Sequence, residues 1–196
     1  MDHDKPKDSQ QAFTFGNFTA YLQSLGRRVT NPRAGNDPPD FLCTIDGEDW
    51  EIEVTIADAR VAQVFPYHVD RARAGVDSVG TTSVWWGDVL LHESPFVAEA
   101  YVSARDDIEA EIAKRVLEKC SPGYVDRSFT NPSRTYVVID ASLFPFTTAA
   151  EAEACAARIR TNVRVPDQRL GGAFFCLAIA PHWERRHYGL DQLADH

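Results

Sequence analysis

The chain has 196 residues, a length that suits one domain with a sizeable hydrophobic core. Its formal net charge of −9 argues against a protein that coats nucleic acid non-specifically, but does not exclude a nuclease, because a nuclease site is itself acidic. It contains no apolar run of about 18 residues and no apolar signal-peptide core near Met1, so we expect a cytoplasmic protein without a membrane span.

The first predicted elements are a tail and a helix. Residues 1–11 are polar and predict a flexible tail, while residues 12–196 predict a single domain with an insertion at about 58–103. Apolar residues recur at helical spacing from Phe13 to Leu25, and Gly26 is a natural stop.

A short strand and a turn-rich connection follow the helix. Residues 27–30 predict the strand, and the segment NPRAGNDPP predicts the connection. Arg27, Arg28 and Arg33 in this part of the chain are candidate phosphate contacts, with solvated loop cations as the alternative.

A hairpin is the strongest local signal in the chain. Two alternating runs, FLCTI and WEIEVTI, flank Asp46-Gly47, which is typical of a tight hairpin turn. The apolar pattern accepts a two-residue turn or a four-residue loop, because both keep the apolar side chains on one face, and disfavours a three-residue loop. The two-residue turn predicts the pairs Ile45–Glu48, Cys43–Trp50, Phe41–Ile52 and Asp40–Glu53.

This register gathers three carboxylates on one face of the hairpin: Asp40, Glu51 and Glu53. Like charges that lie so close are unfavourable, so protonation, a neighbouring arginine or a hard cation such as Mg²⁺ must offset the repulsion. The alternative is that the carboxylates form the solvated outer face of an edge hairpin.

At these residues the chain resembles the PD-(D/E)xK nuclease superfamily, which has a restriction-endonuclease-like fold. The matching residues are Pro39-Asp40 and Glu51-Ile52-Glu53, with ten residues between Asp40 and Glu51. In that superfamily the aspartate opens the second core strand, and the acidic residue and a lysine lie on the third. Here Glu53 stands where lysine is usual, and the chain resembles a Glu-x-Glu variant. An acidic residue on the first helix, frequent in the superfamily, is missing between Asp8 and Asp37.

The resemblance implies metal-dependent hydrolysis of phosphodiester bonds in nucleic acid, with DNA as the expected substrate, in defence or repair. Asp40 and Glu51 would hold Mg²⁺ or Mn²⁺, with the carbonyl of Ile52 completing the shell. Glu53 would hold the attacking water as a base or join the metal ligands.

The second half of the chain predicts the remaining layers. Residues 58–103 contain β-branched and aromatic runs between glycines, which indicate an inserted hairpin or lid. The best helix runs from residue 97 to 120. In the superfamily that the chain resembles, the helix after the catalytic hairpin can offer a basic residue to the site. The resemblance therefore makes Lys114 and Lys119 candidates to point towards the site, with a solvated face as the alternative. Residues 135–139 and the segment GGAFFCLAIA predict buried strands joined by a helix over residues 147–163. The tail after residue 180 is mixed.

The four cysteines, Cys43, Cys120, Cys155 and Cys176, are scattered without a zinc-binding spacing and predict buried, reduced thiols.

The element order predicts an α/β domain with a mixed central sheet flanked by helices. The resemblance implies that this sheet is restriction-endonuclease-like. Three interpretations follow: an active nuclease, a catalytically inactive nuclease-fold module for binding or assembly, and an unrelated α/β domain with an acidic hairpin. Three features favour the inactive module more strongly here than in an average member of the superfamily. They are the missing lysine, the missing acidic residue on the first helix and the negative net charge. A homodimer or a protein partner remains open.

Overall fold

A mixed sheet of six strands forms the centre of the molecule. The structure is a computed structural model, and it describes residues 9–57, 84–86, 89–91, 108–180, 182 and 184–190. The helices are α1 (Ser9–Ser24), α2 (Ile108–Lys119), α3 (Pro122–Ser128) and α4 (Ala149–Asn162), and Pro132–Arg134 form a 3-10 turn. The strands are β1 (Val29–Ala34), β2 (Phe41–Ile45), β3 (Glu48–Ile56), β4 (Val84–Trp86), β5 (Val89–Leu91), β6 (Thr135–Phe146), β7 (Gly172–Ile179) and β8 (Glu184–Gly189).

The strand order in the large sheet is β1-β2-β3-β6-β7-β8. Strands β3, β6 and β7 run parallel, and antiparallel neighbours extend the sheet on both sides. The predicted α/β class with a mixed central sheet flanked by helices is therefore confirmed. Strands β4 and β5, which lie within the range predicted as an inserted hairpin or lid, pair antiparallel in a separate sheet. The other residues of the predicted insertion lie outside the described part of the chain.

Helices cover both faces of the sheet. On one face, Phe18 of α1 packs against Tyr136 and Phe174, with ring centroids 5.7 and 5.1 Å apart. On the other face, α2 and α4 cover the strands with buried side chains such as Ile112 and Ile159. Because side chains alternate along a strand, Ile52 and Val54 of β3 join the α1 face, and Glu53 points to the α2 face. Within the described ranges, no helix is both long enough and apolar enough to cross a membrane.

The predicted hairpin register is confirmed from Phe41–Ile52 through Ile45–Glu48. Asp46 and Gly47 have φ values of 53° and 91°, and positive φ at both central residues is what a type I′ turn requires. The Asp46 carboxylate accepts the Arg28 N–H at 2.7 Å and pairs with the Arg27 guanidinium. These contacts, first the backbone N–H of Arg28 and then Arg27, lower the pKa of Asp46.

Several boundaries differ from the predictions. Helix α1 begins at Ser9, so residues 9–11 are helical although the sequence predicted a tail there. Strand β1 is Val29–Ala34 rather than residues 27–30, because a bulge at Asn31, with a φ of 53°, lets this edge strand continue through Pro32.

Two elements were missed by the sequence patterns. The predicted helix ends at Lys119, close to the expected residue 120, but the short helix α3 that follows was not predicted; it begins at Pro122, since proline fits a first helical turn. Strand β8 has the sequence ERRHYG, which carries no apolar alternation, and it forms through backbone pairing with β7. For the predicted helix over residues 97–120, the described part is Ile108–Lys119, and residues 97–107 lie outside the described ranges.

All four cysteines are buried and free, as predicted. Burial raises the pKa of the Cys43 thiol to about 11, so this group stays protonated and unreactive at neutral pH.

Candidate functional site

Asp40 lies buried at the point where the chain enters β2, with 3% of its surface exposed. Its Oδ2 accepts a hydrogen bond from the backbone N–H of Val54 at 2.9 Å. The carboxylate therefore bonds to β3 from the residue that immediately precedes β2. The Gly35 N–H donates to the Asp40 carbonyl at 2.8 Å, and the close approach of Pro39 leaves no room for a Cβ at Gly35. The tight loop before β2 therefore fixes the position of Asp40.

Gln11 of α1 reaches the same place from the other layer. Its Nε2 lies 3.4 Å from Asp40 Oδ1 and 3.4 Å from the Val54 carbonyl oxygen. Gln11 occupies the helical stripe that also carries Phe15 and Phe18, so a polar residue in an otherwise apolar stripe was the available signal. The Asp40 carboxylate and the Val54 carbonyl thus bring two oxygen-bearing groups to one end of the hairpin, and the Gln11 amide N–H group donates to both.

Glu53 forms the most enclosed charged cluster near the hairpin. Its Oε1 lies 2.7 Å from Lys119 Nζ and accepts a hydrogen bond from the Tyr124 hydroxyl at 2.6 Å. Lys119 also donates to the Tyr124 oxygen at 2.8 Å, which closes a triangle of three side chains. Glu53 Oε2 is buried and has no hydrogen-bond partner among the described residues. The described residues therefore hold one oxygen of this carboxylate and leave the other without a hydrogen bond.

The secondary structure explains how these three side chains meet. Lys119 is the last residue of α2, where the negative end of the helix dipole favours a cation. Tyr124 lies in the first turn of α3, which starts only three residues after α2 ends. Lys119 was a predicted candidate, whereas Tyr124 was missed because the sequence predicted no helix after Pro122.

The protonation of the cluster follows from its contacts. Burial lowers the pKa of Lys119, but the hydrogen bonds with Glu53 and Tyr124 outweigh it, so the pKa lies above that of an ordinary lysine. Burial, and then the hydrogen bond to Glu53, raise the pKa of Tyr124. At neutral pH the cluster therefore holds an ammonium and a neutral phenol.

Glu51 has a different environment from Glu53. Its carboxylate accepts the backbone N–H groups of Thr130 and Asn131 at 3.1 to 3.4 Å and the Thr135 hydroxyl at 3.1 Å. These bonds hold the loop before β6 against β3. Ile52 pairs with Phe41 inside the β2–β3 ladder, and its side chain is fully buried.

The predicted cations divide in a similar way. The Arg27 guanidinium pairs with Asp46 in the hairpin turn, away from the Asp40 carboxylate. Lys114 is 56% exposed, and its Nζ lies 3.9 Å from Glu111, so it is a solvated helix residue. Of the two lysines predicted as candidates on this helix, Lys119 contacts the hairpin.

A second polar cluster lies between α1 and β8. The Asp140 carboxylate accepts hydrogen bonds from the Thr14 hydroxyl and from the Ser142 N–H, and Arg185 donates to the Ser142 hydroxyl at 3.1 Å. His187 on β8 has a buried Nε2 without a partner among the described residues. Beside this cluster is a surface pocket of about 450 Å³, lined by the last turns of α1 and by residues 185–188.

No group of three or more His, Cys, Asp or Glu side chains in the described ranges is arranged to hold a metal ion. Asp40 contacts β3 through the Val54 N–H, and Glu53, the preceding residue of β3, contacts Lys119. In comparisons with known proteins, no family model, no curated protein and no solved structure matches this chain.

Proposed function

We propose that this protein is a metal-dependent nuclease with a PD-(D/E)xK-like domain, and that its site consists of Asp40, Glu53, the Val54 carbonyl and Lys119. The observation that carries the proposal is the contact between Lys119 and Glu53, because it supplies the lysine that β3 lacks. The order of elements also supports it, because α1, three antiparallel strands, the separate β4–β5 pair, α2, α3 and a parallel strand follow one another, as the resemblance with its insertion requires.

In this proposal Glu53, rather than Glu51, is the acidic metal ligand on β3. Glu51 is engaged by the loop before β6, whereas Glu53 would lie opposite Asp40 if the confirmed hairpin register continued by one pair. Thr55 then stands two residues later, where the superfamily pattern has lysine, and it is largely buried. The ammonium of Lys119 approaches Glu53 from α2 instead.

The donor set suits a hard divalent cation such as Mg²⁺ or Mn²⁺. The Oε2 of Glu53, buried and without a hydrogen-bond partner among the described residues, is the feature that fits a ligand of this kind, and Asp40 and the Val54 carbonyl would add oxygen donors. Mg²⁺ commonly uses one or two carboxylates and keeps several waters, so a third acidic residue is not required. A bound cation would lower the pKa of a water and offset charge on the phosphate.

The remaining chemistry belongs to the side chains. Lys119 has three N–H donors, of which Glu53 and Tyr124 take two. The third is available to a phosphate oxygen or to the attacking water. Because the pKa of Lys119 is raised, it acts as a fixed positive charge rather than as a base at neutral pH.

A binding or assembly module without catalysis is the second candidate. It is favoured by the bonds that Asp40 and Glu51 already make to backbone N–H groups, which satisfy these carboxylates without a metal. In this case Glu53 and Lys119 would be a structural ion pair.

A cleavage assay with DNA and RNA in Mg²⁺ or Mn²⁺ separates the candidates. Glu53→Gln and Lys119→Met are each expected to lower the cleavage rate by about 10²- to 10⁴-fold, with folding checked by circular dichroism. Lys114→Met is the matched control, since it removes an exposed lysine from the same helix. Calorimetric binding of Mn²⁺ should weaken in Glu53→Gln. If the wild type neither cleaves nucleic acid nor binds either cation, the nuclease proposal is refuted and the binding module remains.

A further inference from the structure

We infer that Arg127 binds a phosphate group of a nucleic-acid strand at the rim of the Glu53 site. The inference rests on the proposed function for the class of its ligand, a phosphodiester backbone. It adds a substrate-binding residue on α3, an element that none of the predicted site residues occupies.

Arg127 is exposed, and its guanidinium lies against the ring of Tyr124. The guanidinium carbon is 5.5 Å from the ring centroid, within the range of a cation–π contact. The two residues are three apart on α3, so their side chains share one side of the helix. Because the Tyr124 hydroxyl donates to Glu53, Arg127 is one side chain away from the carboxylate of the proposed site.

The contact with Tyr124 positions Arg127 without using its N–H donors. Among the described residues, no carboxylate pairs with Arg127. Arg169, by contrast, donates to Asp126 and Asp167. An arginine held by a ring and left with free N–H groups is suited to bidentate contact with a phosphate.

The charge around Tyr124 supports the same ligand. Lys119 Nζ lies 4.6 Å from the Tyr124 centroid, so one ring contacts two cations. The chain as a whole has a formal net charge of −9, and a nucleic-acid backbone therefore needs a local positive region to approach. Lys119 is partly engaged by Glu53, which leaves Arg127 as the outer cation of this pair.

The test is binding of a short fluorescein-labelled DNA duplex, measured by fluorescence anisotropy in EDTA over a series of salt concentrations. A labelled RNA strand forms a second arm that distinguishes the two sources of phosphodiester. Arg127→Gln is compared with Arg160→Gln, which removes the same charge from the exposed last turn of α4. We expect Arg127→Gln to weaken binding about tenfold and to reduce the salt slope by about 0.9, while Arg160→Gln stays within about twofold of wild type.

The outcomes separate this inference from the proposed function. If Arg127→Gln binds like wild type or like Arg160→Gln, or if the wild type binds neither nucleic acid, the assignment of Arg127 is overturned. If the Arg127-dependent binding is present but the wild type cuts nothing in Mg²⁺ or Mn²⁺, the assignment stands and the nuclease proposal fails. Cleavage by wild type at a rate that Arg127→Gln leaves unchanged, at limiting DNA, also contradicts the assignment.

Discussion

Removal of the Lys119 ammonium should destabilise the protein because it leaves the Glu53 carboxylate buried without a counter-ion. The Glu53 side chain is 2% exposed, and Lys119 Nζ lies 2.7 Å from its Oε1. Lys119→Met keeps most of the apolar stem and deletes the charge. The variant therefore isolates the electrostatic contribution from the packing of the side chain.

The expected loss of stability in Lys119→Met follows from the exposure of Lys119 and from the contacts that Glu53 keeps. Removal of one partner from a fully buried ion pair costs about 3–5 kcal/mol. Lys119 is 25% exposed, and the Tyr124 hydroxyl still donates to Glu53, so part of the cost is recovered. We expect a loss of about 2–3 kcal/mol in the free energy of unfolding. For a chain of this size the melting temperature should fall by about 5–10 °C.

The measurement is urea unfolding of wild type, Lys119→Met, Glu53→Gln and the double variant. Glu53→Gln should cost about 1 kcal/mol or less, because the partly exposed Lys119 regains water. The double variant should cost less than the sum of the single variants by about 1–2 kcal/mol. Lys114→Met, at an exposed position, should stay within about 0.5 kcal/mol. A cost for Lys119→Met no larger than that for Lys114→Met would refute the reasoning.

Two further predictions concern His187 and the glycines. Burial lowers the pKa of His187 to about 4. The nearby Asp140 carboxylate raises this pKa, and the positive charge of Arg185 lowers it further. As pH falls from about 6.5, His187 is protonated in the unfolded chain before it is protonated in the folded protein. The stability that neutral His187 contributes is therefore present in full above pH 6.5 and lost by about pH 4. It amounts to about 3 kcal/mol at most. His187→Gln should flatten the pH dependence of the free energy of unfolding between about pH 4 and 6.5. An unchanged slope would contradict the low pKa of His187. At Gly35 a Cβ would meet the Pro39 carbonyl oxygen at 2.1 Å, so Gly35→Ala should cost at least about 1–3 kcal/mol in thermal unfolding. Gly16→Ala, where no atom of the described residues outside its chain neighbours and its own helix backbone lies within 4 Å of the new Cβ, should stabilise by about 0.5–1 kcal/mol, and equal effects of the two changes would show that the loop before β2 is not tight.

The sequence by itself determined the hairpin and the alternation of its faces. Asp46-Gly47 favours a type I′ turn because both residues tolerate positive φ, and the turn fixes which residues pair. Register then follows from local chemistry, and the structure has the predicted pairs. The buried strand β7 and the helix capped by Thr148 were predictable for the same reason, since an apolar run and an N-cap are local signals.

The tertiary structure decided what each acidic residue of the hairpin contacts. Glu51 and Glu53 have the same spacing pattern and the same face, so no local signal distinguishes them. The loop before β6 and the end of α2 are both distant in sequence, and they give Glu51 backbone donors and Glu53 an ammonium. Strand β8 likewise forms only because β7 offers an unpaired edge, although its own residues are charged.

Of the three carboxylates predicted to cluster on the hairpin, Asp40 and Glu53 belong to the proposed site and Glu51 does not. Local pattern placed Asp40 at the start of β2 and Glu53 on β3, and packing of α2 and α3 against the sheet brought Lys119 and Tyr124 to Glu53. A lysine that approaches from a helix cannot be found by strand spacing, because its distance in sequence depends on the length of the insertion. Long-range packing, rather than the motif, thus supplies the cation on which the proposed chemistry depends.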